Sequence, residues 1–244
     1  MNTNVGLLPA GASRRGFLRS LGFYTTLLTV PGAFAEQLAR TRKTAAVTEG
    51  PFYPPNLPLD TDNDLLIVND SLTPAVGQVT HLSGRLLDTR GEPLRNATIE
   101  IWSTDHAGIY LADRDNKARY DSHFQGFGRF MTGSSGEYYF RTLKPVAYNG
   151  RTAAHIHYKI KMKGRPDFTT QMFIRSFPGN SEDFVYRAIG DQAAKDSVTV
   201  DFAPVPNSTV GELAARFDIV LGLTPEDEDH KHEHNPRPPQ ARNS

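Results

Sequence analysis

The chain has 244 residues, enough for one sizeable hydrophobic core, and its 27 basic and 27 acidic residues cancel. This balance provides neither the basic surface that nucleic acid requires nor an acidic excess for a cationic partner, so we expect a small-molecule partner and no nucleic acid. The absence of cysteine excludes thiolate metal sites, cysteine nucleophiles and disulfides, so any metal must be bound by nitrogen and oxygen.

Residues 1–35 are predicted to be a twin-arginine signal peptide. Arg14 and Arg15 precede an uncharged run over residues 20–30, and Ala33 and Ala35 provide small residues for cleavage. The uncharged run is shorter than the roughly 20 residues that span a bilayer, so the mature form is predicted to have no membrane span. We expect export by the twin-arginine route to the periplasm or the extracellular space.

Residues 36–78 are predicted to form an extended N-terminal arm. The segment shows little hydrophobic periodicity, and it contains five prolines, at positions 51, 54, 55, 58 and 74. An arm of this kind either wraps around its own domain or meets a partner.

Residues 79–224 are predicted to form an all-β domain, an antiparallel β-sandwich with short peripheral helices. Short β-favouring runs alternate with turn residues, as in residues 79–87 and 97–102 around a Gly/Pro turn, and in residues 137–141 after a Gly-Ser-Ser-Gly turn. One short helix is predicted over residues 182–195 behind a Ser181 cap.

The tail over residues 225–244 is charged and rich in proline, and it is predicted to be disordered. Its histidines at 230, 232 and 234 lie in a flexible context, which does not preorganise a metal site.

The segment from His155 to Met162 alternates strictly between polar and apolar residues. A strand projects alternate residues to opposite faces, so His155 and His157 share one face and their imidazoles project into one volume. Such a pair is a natural half-site for a metal, although a bare His-x-His is more often a hydrogen-bonded pair on a sheet. Tyr110 and Tyr148 could add two phenolates, and two phenolates with two imidazoles suit a trivalent iron.

An ordered series of motifs resembles the intradiol ring-cleavage dioxygenases, the family of the catechol and protocatechuate enzymes, over roughly residues 47–185. The short spacing from Tyr148 to His155 looks more like the exported branch of that family. The matching features are Thr48 to Tyr53, the strand to Trp102 with Tyr110 after it, Phe124 to Arg129, Tyr148, His155-Ile156-His157 and Thr169 to Gln171.

The resemblance implies an enzyme that opens a catechol-type ring between its two hydroxyl-bearing carbons with O2, giving a cis,cis-muconate-type dicarboxylic acid. It implies iron(III) bound by Tyr110, Tyr148, His155 and His157. Tyr148 would also accept a proton from the substrate.

The resemblance further implies that Arg151 stabilises charge on the substrate and that Gln171 belongs to the pocket. Arg151 lies four residues before the first histidine where the family usually has three, which predicts a one-residue bulge within residues 152–154. The resemblance is also compatible with pairing of two copies through the N-terminal region into a homodimer.

Two other functions remain open from the residues alone. One is a non-catalytic β-sandwich module that binds a sugar, peptide or protein and uses the histidines structurally. The other is hydrolysis at zinc on the same scaffold, which phenolate ligands disfavour.

Overall fold

The computed structural model describes residues 42–222. The predicted signal peptide over residues 1–35 and the predicted tail over residues 225–244 lie outside the described residues. The described chain contains ten strands and two short α-helices. Neither helix, at five residues each, approaches the length needed to cross a membrane.

The first sheet is built around β1 (Val79–Asp88). This long strand pairs antiparallel with β4 and parallel with β9 and β10, and β8 pairs antiparallel with β9. The other strands of this sheet are β4 (Glu137–Leu143), β8 (Phe202–Pro204), β9 (Leu213–Arg216) and β10 (Ile219–Leu221).

The second sheet carries the histidine strand and has the order β3-β2-β5-β6-β7. Its strands are β2 (Thr98–Trp102), β3 (Phe127–Met131), β5 (His155–Lys161), β6 (Phe168–Ile174) and β7 (Thr199–Val200). Only β7 runs parallel to its neighbour, because a long helical connection returns the chain to the same edge of the sheet.

The main hydrophobic core lies between the two sheets. Leu82 and Phe140 contribute from the first sheet, and Ile99, Ile156 and Tyr158 contribute from the second. This packing confirms the predicted all-β sandwich, although three short parallel pairings make both sheets mixed.

The arm crosses the opposite face of the second sheet, where the Tyr53 ring lies against Lys159 and its hydroxyl donates to Glu100. The arm also pairs with β6. Val47 and Thr169 are joined by two hydrogen bonds, with Val47 N donating to the Thr169 carbonyl and Thr169 Oγ1 donating to the Val47 carbonyl. Further along the arm, Leu65 and Leu66 are fully buried in the core. The segment therefore packs against the sandwich from residue 44 onwards, and one face of the histidine strand lies beneath it.

The prediction of one helix behind Ser181 is wrong. The region forms α1 (Phe184–Ala188) and α2 (Gln192–Asp196), because the backbone is extended at Ile189 and a second cap follows at Asp191. Asp183 caps the first helix by accepting two backbone N–H groups, and Ser181 lies in a preceding 3-10 turn.

Candidate active site

His155 and His157 point away from the main core and are nevertheless only 2% exposed. Their Nε2 atoms lie 3.2 Å apart. Nδ1 of His155 lies 2.7 Å from the carbonyl oxygen of Ala153 and donates to it, which leaves Nε2 with a lone pair. Nδ1 of His157 has no hydrogen-bond partner among residues 42–222.

Tyr110 directs its hydroxyl at the histidine pair. Its Oη lies 2.9 Å from Nε2 of His157 and 3.3 Å from Nε2 of His155. The loop that presents Tyr110 is held by the buried carboxylate of Asp105, which accepts backbone N–H groups from Ala107 and Ile109. Three atoms able to bind a metal, Tyr110 Oη and Nε2 of each histidine, therefore lie within 3.3 Å of one another.

Tyr148 lies beside Tyr110 and His155 and is presented by a two-residue hairpin. Tyr148 and Arg151 exchange backbone hydrogen bonds of 3.0 and 2.9 Å across Asn149 and Gly150, and Gly150 has a φ of 92° that favours glycine. The ring of Tyr148 lies 5.8 Å from that of His155, centroid to centroid. Tyr148 is half-buried, so it is the most accessible of the four predicted ligands.

Arg151 lies beside the histidine pair with all its nitrogens engaged. Nε donates to Asp183 at 2.8 Å, Nη2 donates to Gln171 at 2.9 Å, and Nη1 lies 3.3 Å from Nε2 of His155. Gln171 is anchored in turn by donating to the carbonyl of Thr48. A one-residue bulge was predicted within residues 152–154. These residues instead form a bend before β5, which begins at His155.

Aromatic rings close the site on two sides. Phe52 stacks on Tyr110 with ring centroids 4.5 Å apart, and Trp102 stacks on His157 at 4.8 Å. Tyr53 packs edge-on against Trp102 and donates to Glu100. These contacts fix the planes of two predicted ligand rings.

The buried carboxylate of Glu100 holds Tyr53 in place. Glu100 is fully buried and accepts hydrogen bonds from Arg129, Lys161 and Tyr53. Burial opposes its ionisation, but the hydrogen bonds outweigh burial and lower the pKa of the carboxyl.

Burial dominates the electrostatics of the predicted ligands. It lowers the pKa of His155 to about 4, with the charge of Arg151 acting in the same direction. Burial also lowers the pKa of His157 well below its usual value, and it raises the pKa values of Tyr110 and Tyr148. The imidazoles are therefore neutral near pH 7, and ionisation of the phenols needs a nearby positive charge.

The six residues singled out from the sequence meet at one place. Asp183, Trp102 and Phe52 also belong to the site. No role was predicted for them, although Phe52 and Trp102 lie in motifs that carry the family resemblance. Across the described part of the chain, no group of three or more His, Asp or Glu side chains is placed to hold a metal. The tyrosine hydroxyls are thus the groups that would complete a site around the two histidines.

Comparison with known proteins gives a consistent result. The family model described as Dioxygenase matches residues 48–222. The chain is 27% identical over 220 residues to a catechol 1,2-dioxygenase of Candida albicans, covering 82% of this chain and 69% of that protein. It is 33% identical over 156 residues to the beta chain of a protocatechuate 3,4-dioxygenase of Burkholderia cepacia, covering 60% of this chain and 65% of that one.

A solved structure shares the same architecture. The dioxygenase domain of a dioxygenase carbohydrate-binding protein fusion from Streptomyces sp. SirexAA-E matches with a TM-score of 0.58 and 26% identity. The match covers 75% of this chain and 100% of that domain.

Proposed function

Since the chain belongs to the intradiol ring-cleavage dioxygenase family, we propose that it binds iron(III) through Tyr110, Tyr148, His155 and His157. In this proposal it uses O2 to cleave a catechol-type ring between the two hydroxyl-bearing carbons, giving a cis,cis-muconate-type dicarboxylic acid. The same membership makes it an oxidoreductase of the dioxygenase class.

The convergence of Tyr110, His155 and His157 is the observation that carries this proposal. Tyr110 Oη and the two histidine Nε2 atoms lie 2.9 to 3.3 Å from one another. Such distances are expected between ligand atoms bonded at about 2 Å to one first-row metal ion. Both nitrogens belong to imidazoles that burial keeps neutral. A set of two phenolates and two imidazoles favours a trivalent cation over zinc.

Iron(III), when bound, supplies a Lewis-acidic centre that stabilises phenolate and catecholate oxygens and withdraws electron density from the aromatic ring. Tyr148 is the ligand best placed to accept a proton at Oη from a substrate hydroxyl, because its ring is half-buried and lies on a hairpin. The ring of Tyr110 is held by stacking against Phe52, so we assign Tyr110 as a ligand that does not take part in proton transfer.

Arg151 provides the positive charge next to the reacting ring. Its Nη1 lies 3.3 Å from Nε2 of His155, while Asp183 and Gln171 hold the other two nitrogens. A guanidinium fixed in this way is already oriented before charge develops on the substrate, which is the condition for effective electrostatic stabilisation. Gln171 therefore acts through Arg151.

We also propose that residues 1–35 direct export by the twin-arginine route and that two mature chains pair as a homodimer. The sequence of the leader supports the first statement, and the family resemblance supports the second.

The proposed function is tested by visible spectroscopy followed by oxygen uptake. The mature protein is loaded with iron(III), its spectrum is recorded under anaerobic conditions before and after addition of catechol, and air is then admitted. We expect a red-brown protein whose tyrosinate absorption shifts with catechol and which then consumes one O2 per catechol.

Each outcome has a distinct meaning. A protein that binds iron but neither shifts with catechol nor consumes oxygen would contradict the proposed reaction. A colourless protein that binds no iron would contradict the ligand set as well, and would favour the non-catalytic binding module.

A further inference from the structure

A surface cavity of about 280 Å³ lies between the proline-rich part of the arm and the loop that follows Tyr110. Pro54, Pro55 and Pro58 line it from the arm, and Leu111 lines it from the loop. Proline side chains are rigid and apolar, so this part of the lining is preformed. A flat apolar group can therefore be received without ordering a flexible loop.

The charged side chains that line the cavity are all positive. Arg114 and Lys117 line it, whereas no Asp or Glu does so. Asp113 and Asp115 flank Arg114 in the sequence, but neither lines the cavity. The Asp113 carboxylate accepts hydrogen bonds from the backbone and side chain of Asn116. Within residues 42–222, neither Arg114 nor Lys117 forms an ion pair, so both cations are available to an anion.

Residues that line the cavity are neighbours in sequence of residues in the candidate active site. Leu111 directly follows Tyr110, and Pro54 directly follows Tyr53, which packs against Trp102. Consecutive Cα atoms are about 3.8 Å apart, so both lining segments start within one residue of rings that belong to the site.

We propose that this cavity is a subsite for an anionic side chain on the substrate, and that the preferred substrates are catechols carrying a carboxylate on a short unsaturated or aliphatic tail. The prolines and Leu111 contact the tail, while Arg114 and Lys117 bind the carboxylate. This inference rests on the proposed function, because it assumes that the ring of the same molecule occupies the candidate active site.

The test compares substrates that differ in charge. Oxygen uptake gives kcat and KM for 4-methylcatechol, which is neutral, and for 3,4-dihydroxycinnamate, which carries the carboxylate. The variants are Arg114→Gln, Lys117→Gln and the double variant. Arg119→Gln is the matched control, since Arg119 is exposed in the same 3-10 turn and does not line the cavity.

We expect the double variant to raise KM for 3,4-dihydroxycinnamate about tenfold or more, the usual range for lost charge-assisted hydrogen bonds. Its kcat, and both constants for 4-methylcatechol, should stay within about twofold of wild type, as should all constants of Arg119→Gln. An equal change of KM for the two substrates would overturn the subsite.

A second readout does not need turnover. Cinnamate, which lacks both hydroxyls, should shift the methyl NMR signals of Leu111 and Ala112 in the metal-free protein and should not do so in the double variant. Wild-type protein that binds cinnamate but cleaves no catechol would refute the proposed function and leave the anion site standing. Cleavage of both catechols at rates independent of the two cations would refute the subsite alone.

A separate effector is also distinguishable. If cinnamate changes the turnover of 4-methylcatechol without competing with 3,4-dihydroxycinnamate, the cavity binds an independent anion, and its assignment to the substrate is wrong.

Discussion

Arg151 and Asp183 form a buried ion pair in which Nε donates to Oδ2 at 2.8 Å. The same carboxylate accepts the backbone N–H groups of Val185 and Tyr186 and so caps α1. One side chain thus ties a guanidinium of the candidate active site to a helix. Burial opposes ionisation of Asp183, but the hydrogen bond from Arg151 and those from the backbone outweigh it and lower the pKa of the carboxyl.

Asp183→Asn is expected to lower turnover about 10- to 100-fold, the usual cost of removing an orienting partner in a metal site. Asparagine caps a helix as well as aspartate does, so α1 should remain folded while Arg151 loses its charged acceptor. Steady-state kinetics with circular dichroism measures both effects. Asp191→Asn is the matched control, since Asp191 caps α2 and pairs with Arg42 at the surface.

The effect of Asp183 should depend on Arg151. In an Arg151→Ala background, Asp183→Asn should cause little further loss of turnover, because the group through which it acts is already gone. Losses that multiply in the double variant would show that Asp183 acts by another route.

Tyr148→Phe is expected to weaken or blue-shift the tyrosinate absorption of the iron-loaded protein and to slow turnover about 100-fold or more, because a proton acceptor is lost. The ring remains, so the melting temperature should change little. Tyr186→Phe is a suitable control, since that ring packs against Phe173 outside the ligand set. An unchanged spectrum and rate would remove Tyr148 from the proposed ligands.

Metal-free protein should lose stability as the pH falls from about 6.5 towards 4. His155 takes up a proton near pH 6.5 in the unfolded chain but only near pH 4 in the folded one, so the unfolded state binds more protons between these values. The free energy of unfolding should fall by about 1.4 kcal/mol per pH unit, roughly 3 kcal/mol over the window. His157 shifts in the same direction and adds to the loss.

Urea unfolding of chelator-treated protein at several pH values measures this slope. His155→Gln should reduce it, whereas His106→Gln should not, because His106 is exposed. A free energy of unfolding that stays constant between pH 6.5 and 5 would contradict the predicted burial of neutral imidazoles.

Changing both Arg14 and Arg15 to Lys is expected to block export, since the route recognises the arginine pair. The measurement is the distribution of the chain between cell fractions and the N-terminal residue of the exported form, which should follow Ala35. Arg19→Lys is the control and should leave export intact. Normal export of the double variant would exclude the twin-arginine route.

Local patterns were sufficient to predict much of the fold. Alternation predicted β5 and the shared face of His155 and His157, and turn residues predicted the neighbouring strands. The helical region was predicted less well, because the break at Ile189 follows from a competing cap at Asp191 that a periodicity pattern does not weigh.

The sequence predicted the candidate site incompletely, for a different reason. Six of its residues were predicted from ordered motifs, and the assignment of the two tyrosines and two histidines as iron ligands stays a prediction. Asp183 was missed because its partner lies 32 residues away and the contact depends on how the hairpin docks against α1. Its capping position, an Asp before a short apolar run, was the only signal in the sequence.

The hairpin of Tyr148 and Arg151 has a consequence for how this protein can vary. Two backbone hydrogen bonds across Asn149 and Gly150 make the proposed base and the proposed electrostatic group a single rigid unit. An insertion in that turn would displace both groups together, whereas one in the exposed loop around Gly164 would displace neither. Attempts to re-engineer the chemistry should therefore leave the length of the turn unchanged and vary the surrounding walls.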